Sequence, residues 1–196
     1  MYNGIDVFEY TPRSWSRTGA LRMLAVGSLA PLKGQVIALQ ALKLVHDAGV
    51  EATLDLVGSG PDESMLRATA QTLGITDSVN FRGACMDPRA TLSRADLFLL
   101  PSRQEGFSNA LLEAMASALP AVVTDVGGNS EALVDGEGGR VVPPEDAAAM
   151  AQAIVDLARS PDALAQFGRF NRALVEARFR IETSVDRLVD WYRESG

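Results

Sequence analysis

The chain holds one cysteine and one histidine in 196 residues, and that shortage removes several chemistries at once. Cys85 alone cannot build an internal disulfide framework, which fits a reducing compartment. His46 and Cys85 together offer no zinc-ligand spacing, and neither completes a Ser-His-Asp or Cys-His arrangement. No apolar run approaches the roughly 18 residues a membrane span needs, so no transmembrane segment is expected. The first twenty residues lack the apolar core of a secretory leader. Basic residues are scarce, 18 against 25 acidic ones, for a net charge of −7. That balance argues against a nucleic-acid partner, whose usual footprint is a basic stripe. A phosphate-bearing ligand would have to be gripped by a few local donors. The expected setting is the cytoplasm.

What is present fits one soluble domain, with 47% hydrophobic and 22% charged residues. Short, near-continuous apolar runs occupy 21–26, 53–57, 79–81, 97–100, 121–124 and 139–142, and most close on Gly or Pro. Such runs predict strands covered on both faces. Helical periodicity lies between them, at 35–48, 62–73, 88–94 and 108–118, and later at 145–159 with another helix opening at Pro161. Strands alternating with helices predict an α/β fold with a Rossmann-like parallel sheet and helices on both faces. Residues 1–20 read as a linker and 21–178 as the domain. Within 179–196 an amphipathic helix is expected, with Ile181, Val185, Leu188 and Trp191 on one broad face.

Ligands of such sheets bind beyond the carboxyl ends of the strands, so the residues just after each run carry the functional weight. After the first run comes Gly27-Ser28-Leu29-Ala30-Pro31-Leu32-Lys33-Gly34. A lysine beside a helix start is mildly unfavourable alone and favourable with a bound phosphate; a solvated lysine explains it equally well. The loop lacks GxGxxG, and no ribose-reading acid follows the second strand, which opposes a dinucleotide-dependent dehydrogenase. Gly58-Ser59-Gly60-Pro61 is a weak motif. The fourth run leads into Pro101-Ser102-Arg103-Gln104-Glu105-Gly106-Phe107-Ser108-Asn109, then a helix that Ser108 or Asn109 can cap. Asn109, Glu113 and Ser117 form a stripe on it. Spacing alone favours a solvent-facing stripe, with Glu105 complementing the helix dipole; a partly buried Glu113 would instead need donors, which a vicinal diol supplies. Gly127 and Gly128 form either an anion-binding nest or a flexible turn.

The run EGFSNALLEAMA, preceded by LLPSR and followed by PAVVTDVGGNSE, resembles the retaining glycosyltransferases of family four, also called group 1, which have the two-domain GT-B architecture. Glu105 and Glu113 match that family's pair of glutamates. Asn3-Gly4-Ile5-Asp6 resembles the linker into the second domain, VGSLAPLKG the phosphate loop, LVGSGP the second turn and VNFRG the base-binding turn. The resemblance implies that this chain is the donor-binding half, preceded in a longer enzyme by an N-terminal acceptor domain. It implies a nucleoside-diphosphate sugar as donor, an unidentified acceptor, no cofactor and no required metal. Any attachment to the inner membrane face would run through the other domain. Lys33 would neutralise the diphosphate, and Glu105 would contact donor-sugar hydroxyls near the reacting carbon. Gly27 and Ser28 would line the phosphate loop, while main-chain donors from Gly106, Phe107, Ser108 and Asn109 would hold sugar and phosphate. Glu113 would take the ribose diol, which reverses the solvent-facing reading. Arg82 would lie beside the nucleobase and meet it through its backbone. One position departs from the pattern: the family usually has arginine where this chain has Ser28. Arg103 is a candidate substitute; a non-catalytic nucleotide-sugar-binding module is the alternative.

Overall fold

The computed structural model describes residues 4–15 and 19–181. Six strands form one sheet: β1 (Leu21–Val26), β2 (Ala52–Val57), β3 (Val79–Gly83), β4 (Leu97–Leu100), β5 (Ala121–Thr124) and β6 (Gly139–Val142). All pairings are parallel, in the order β3-β2-β1-β4-β5-β6. The helices are α1 (Gln35–Asp47), α2 (Glu63–Thr72), α3 (Arg89–Leu92), α4 (Asn109–Ala116), α5 (Asn129–Ala132), α6 (Ala147–Ala158) and α7 (Pro161–Arg178). The Rossmann-like expectation is met. The predicted helix at 181–191 falls, beyond Ile181, outside the described residues.

The sheet separates two cores. On one face Met23, Leu54 and Leu99 pack with Leu39 and Leu42 of α1 and Ile154 of α6. On the other, Leu24, Phe98 and Val123 pack with Leu111, Leu112 and Met115 of α4 and Val175 of α7. β4 and β5 are buried throughout, as their unbroken apolar runs require. Each fully buried Leu or Phe there contributes roughly 1.5–3 kcal/mol relative to exposure. Helix starts follow capping chemistry: Ser108 Oγ accepts the Leu111 N–H at 3.3 Å, and Asp146 accepts the Ala149 N–H at 2.8 Å.

β2 and β3 differ from the both-faces-covered expectation. On the face opposite α1 they present Thr53, Asp55, Asn80 and Arg82, where Asp55 accepts from Asn80 at 2.8 Å and from Arg82 Nε at 3.0 Å. The physical reason is the crossover: α3, at four residues, is too short to roof this half of the sheet.

The segment read as a linker is docked along 4–15. Val7 is buried in the second core. Arg172 Nη1 donates to the carbonyls of Val7 (3.0 Å), Tyr10 (2.8 Å) and Ala116, so one cation fastens this segment to the end of α4. The Arg13 N–H reaches the Ser117 carbonyl at 2.9 Å, and the Arg13 guanidinium pairs with Asp96. Asp96 also accepts the Arg22 N–H at 2.9 Å and Arg22 Nε at 3.0 Å. The Arg13 and Asp96 side chains are 4% and 0% exposed, so this ion pair is a buried one.

Candidate functional site

Connectivity creates the site. β1 and β4 are adjacent in the sheet but not in the chain, so the loops leaving them diverge and open a crevice at the strand ends. The β1 loop passes through Gly27, the exposed Ser28 and the buried Leu29 into a 3-10 turn, Pro31–Lys33. Leu29 is anchored to the β2 loop, its N–H on the Ser59 carbonyl and its carbonyl on the Asp62 N–H, both at 3.0 Å. Gly34 then adopts a left-handed φ of 64°, and a Cβ there would run into the Pro101 carbonyl. A glycine is thus required where the two loops meet. The Arg103 N–H completes the joint on the Leu32 carbonyl at 2.8 Å.

Across this joint the Lys33 side chain runs past Gly27, and its Nζ lies 3.0 and 2.8 Å from the two carboxylate oxygens of Glu105. Ser102 Oγ donates to Glu105 Oε2 at 2.9 Å. Thr124 Oγ1 in turn donates to the Ser102 carbonyl at 2.6 Å. From the β5 side, Gly127 has φ 53°, and a Cβ on it would strike the Glu105 carbonyl. The Gly128 N–H donates to the Gly106 carbonyl at 2.7 Å. The glycine pair is therefore a buttress under Glu105 and Gly106, with one of its N–H groups already used, and the contact explains both glycines without a flexible turn. With Lys33 30% and Glu105 11% exposed at the side chain, the ion pair is partly screened and worth about 1 kcal/mol.

Glu105 ends where α4 begins. Ser108 spends its hydroxyl on the cap, so only its main chain is available to a ligand. Phe107 packs its ring on Phe179 at 5.5 Å, and Gly106 and Asn109 are exposed. A helix N-terminus leaves N–H groups without intrahelical partners and carries a partial positive charge, so the α4 start is suited to an anion.

Glu113 stands apart from the Lys33–Glu105 pair, in the second turn of α4. It is half-buried, with Tyr10 beside it. Burial holds its pKa above the ordinary carboxylate range, Tyr10 opposes that and Asp87 adds to it. Burial and then the Glu113 charge push the Tyr10 pKa up to about 12. Arg82 lies further along the same rim, at the end of β3. Its guanidinium is turned to Asp55, and the adjoining Gly83 carbonyl takes the Gly58 N–H at 2.8 Å. Arg103 pairs with Glu145 at 3.0 Å and reaches the Pro31 carbonyl at 3.4 Å, so it would have to leave Glu145 to replace the missing arginine. Sequence reasoning did not single out Ser102, although its place two residues after β4 was a usable signal. Among the described residues no group of three or more His, Cys, Asp or Glu side chains gathers as a metal site. No described helix is long and apolar enough to cross a membrane.

The chain is 33% identical over 165 residues to a putative colanic acid biosynthesis glycosyltransferase of Salmonella typhimurium, covering 80% of this chain and 41% of that protein. It is 31% identical over 208 residues to a GDP-mannose-dependent monoacylated alpha-(1-6)-phosphatidylinositol monomannoside mannosyltransferase of Corynebacterium glutamicum, covering 96% and 54%. The chain thus spans about half the length of the curated relatives it matches. The fold superposes on Anabaena HepE, solved in complex with UDP, with a TM-score of 0.89 at 22% identity, covering 98% of this chain and 56% of that one. The sequence pattern of the family described as Glycosyl transferases group 1 matches residues 20–160, and the chain belongs to that family.

Proposed function

We propose that this chain binds the nucleoside-diphosphate-sugar donor of a glycosyl transfer that a longer enzyme completes on an acceptor held by its other domain. The observation that carries the reading is the convergence of Lys33 and Glu105 where the β1 and β4 loops part, beside the start of α4. Lys33 and the α4 N–H groups take the diphosphate and stabilise it as it leaves. Preorganised donors aimed at developing charge are commonly the largest catalytic term, of order 3 kcal/mol for one donor. Glu105, freed from Lys33 as the phosphates arrive, accepts from sugar hydroxyls near the reacting carbon. Glu113 takes the ribose diol, and the backbone at Arg82 borders the base. The transfer retains anomeric configuration: the nucleotide departs from the face the acceptor attacks, and no cofactor or metal is needed because lysine and helix dipole carry the charge.

The relatives name GDP-mannose as a donor in one case and UDP as a bound nucleotide in another, so the titration uses both bases. Calorimetry of the full chain should give saturable binding of UDP or GDP and none of NAD. Binding of NAD, or of neither nucleotide, overturns the proposal. Ser28, in the place where the family usually has arginine, favours a second reading, a donor-binding module without catalysis. Sugar transfer after joining to the domain that the relatives' extra length represents would sink that second reading.

A further inference from the structure

The loop that leaves β1 has most of its main chain already hydrogen-bonded. The Gly27 N–H donates to the Val57 carbonyl at 2.9 Å. The Leu29 N–H donates to the Ser59 carbonyl and the Ala30 N–H to the Ser28 carbonyl, both at 3.0 Å. Between Gly27 and Ala30, the Ser28 N–H alone has no partner among the described residues. No peptide bond is cis, so this N–H points opposite to the Gly27 carbonyl. That carbonyl is turned to the β2 loop, since a Cβ on Gly58 would lie 1.9 Å from its oxygen. The Ser28 N–H is therefore turned away from β2, and Ser28 is exposed. The Lys33 side chain passes the same peptide, its Cδ and Cε each 3.9 Å from where a Gly27 Cβ would stand.

The peptide on the other side of Ser28 is held by Gln35, the first residue of α1 and only 5% exposed. Its Nε2 donates to the Ser28 carbonyl at 2.8 Å. Burying so long a polar side chain costs rotamer freedom and desolvates an amide, so the contact it makes matters. With its oxygen on Gln35 and its N–H on Ser59, the Ser28–Leu29 peptide has one orientation. Released by Gln35, it would be free to swing a carbonyl dipole toward an incoming phosphate, a repulsive contact. Ser28 thus sits between two fixed peptide planes, and its N–H keeps one direction.

We propose that Gln35 is a positioning residue for the diphosphate: by clamping the Ser28 carbonyl it presents the Ser28 main-chain N–H as a phosphate donor beside Lys33. The inference rests on the donor-binding reading of the Lys33 crevice. It supplies from the backbone a donor at the position where the family usually has an arginine side chain.

Gln35→Met keeps the length and the apolar stem and removes the amide. Wild type, Q35M and K33A are titrated as full chains with UDP and GDP. Two-dimensional amide spectra of isotope-labelled wild type and Q35M follow the Ser28 N–H. Saturating wild type with nucleotide should move the Ser28 amide proton downfield, as a new hydrogen bond to a phosphate oxygen does. Q35M should bind roughly three- to tenfold more weakly, the scale of about one hydrogen bond, and show a smaller Ser28 shift at saturation. An unmoved Ser28 amide in saturated wild type overturns the inference, and this reading needs no folded variant. Wild-type affinity in Q35M overturns the role of Gln35. Weaker binding with a full-sized Ser28 shift shows that Gln35 acts on the fold and not on this donor, which also overturns it. In each of these cases weakened binding by K33A leaves the diphosphate reading standing. Wild-type affinity in K33A removes that reading, and the inference falls with it. Binding of neither nucleotide by wild type overturns both.

Discussion

Lys33 Nζ sits 2.8 Å from one carboxylate oxygen of Glu105 and 3.0 Å from the other, across 72 positions of sequence. The two residues meet because their loops leave adjacent strands in opposite senses. The lysine charge is balanced by the glutamate. On the function proposed above, an incoming diphosphate would compete with Glu105 for the lysine, and its arrival would release the carboxylate toward the sugar.

That competition gives two substitutions of opposite sign. Lys33→Ala should weaken UDP or GDP binding by roughly ten- to a hundredfold, the scale of a charge-assisted hydrogen bond. Glu105→Gln should leave binding of the free diphosphate equal or severalfold tighter, while abolishing transfer by the complete enzyme. Calorimetry on both variants decides; weaker diphosphate binding in Glu105→Gln would contradict the competition.

Gly127→Ala tests the buttress. It puts a side chain at φ 53° directly onto the Glu105 carbonyl. A loss of about 2–4 kcal/mol is expected, combining backbone strain with the steric clash. Urea unfolding reads the loss, and the same substitution at Gly106, where a Cβ would meet nothing within 4 Å, is the control expected to cost far less.

Asp96→Ala should destabilise by roughly 3–5 kcal/mol, because it strands the Arg13 guanidinium in the interior. Adding Arg13→Met should recover part of the loss, since no buried charge then lacks a partner. Chemical denaturation measures both, and limited proteolysis near Pro12 reports release of the docked segment. If the double variant is no more stable than the single one, charge stranding is not the cause.

If Glu113 takes the ribose diol as proposed, nucleotide binding should depend on pH. Burial, the largest cause, raises its folded-state pKa. Its contribution to stability is therefore fully present below the ordinary glutamate pKa and lost as pH rises through the raised value. Nucleotide affinity runs the other way, because the diol needs an ionised acceptor: it should climb with pH through that value and then level. Titrations between about pH 4 and 8 bracket the window. Glu113→Gln should remove this component and keep the slope that the nucleotide's own phosphate contributes. Identical profiles for the two proteins would count against the assignment.

The sheet was legible because fully buried strands announce themselves as closed apolar runs: 97–100 and 121–124 coincide with β4 and β5 to the residue. Helix ends came out a residue or two shorter than the periodicity, as fraying and capping dictate. The polar face of β2 and β3 was also written in the sequence. Thr53 and Asp55 alternate with Leu54 and Leu56, as do Asn80 and Arg82 with Val79 and Phe81. What the sequence could not give was contact across the fold. The spacing of Ser102 and Glu105 reveals no hydrogen bond, and nothing local in Gly127 says that its neighbour is the Glu105 carbonyl. Tyr10 and Ala116 lie still further apart, joined only through the Arg172 guanidinium that both carbonyls share.

A sheet of this order has two open margins, β3 and β6, and each is a place where another copy could add a strand. β3 meets β2 through a register irregularity at Leu56 and Val57 and carries the Arg82–Asp55 pair beside it. β6 is four residues long and is followed at once by Pro143 and Pro144, which have no N–H to offer a growing ladder. Both rims are thereby poor templates for the addition of a further strand.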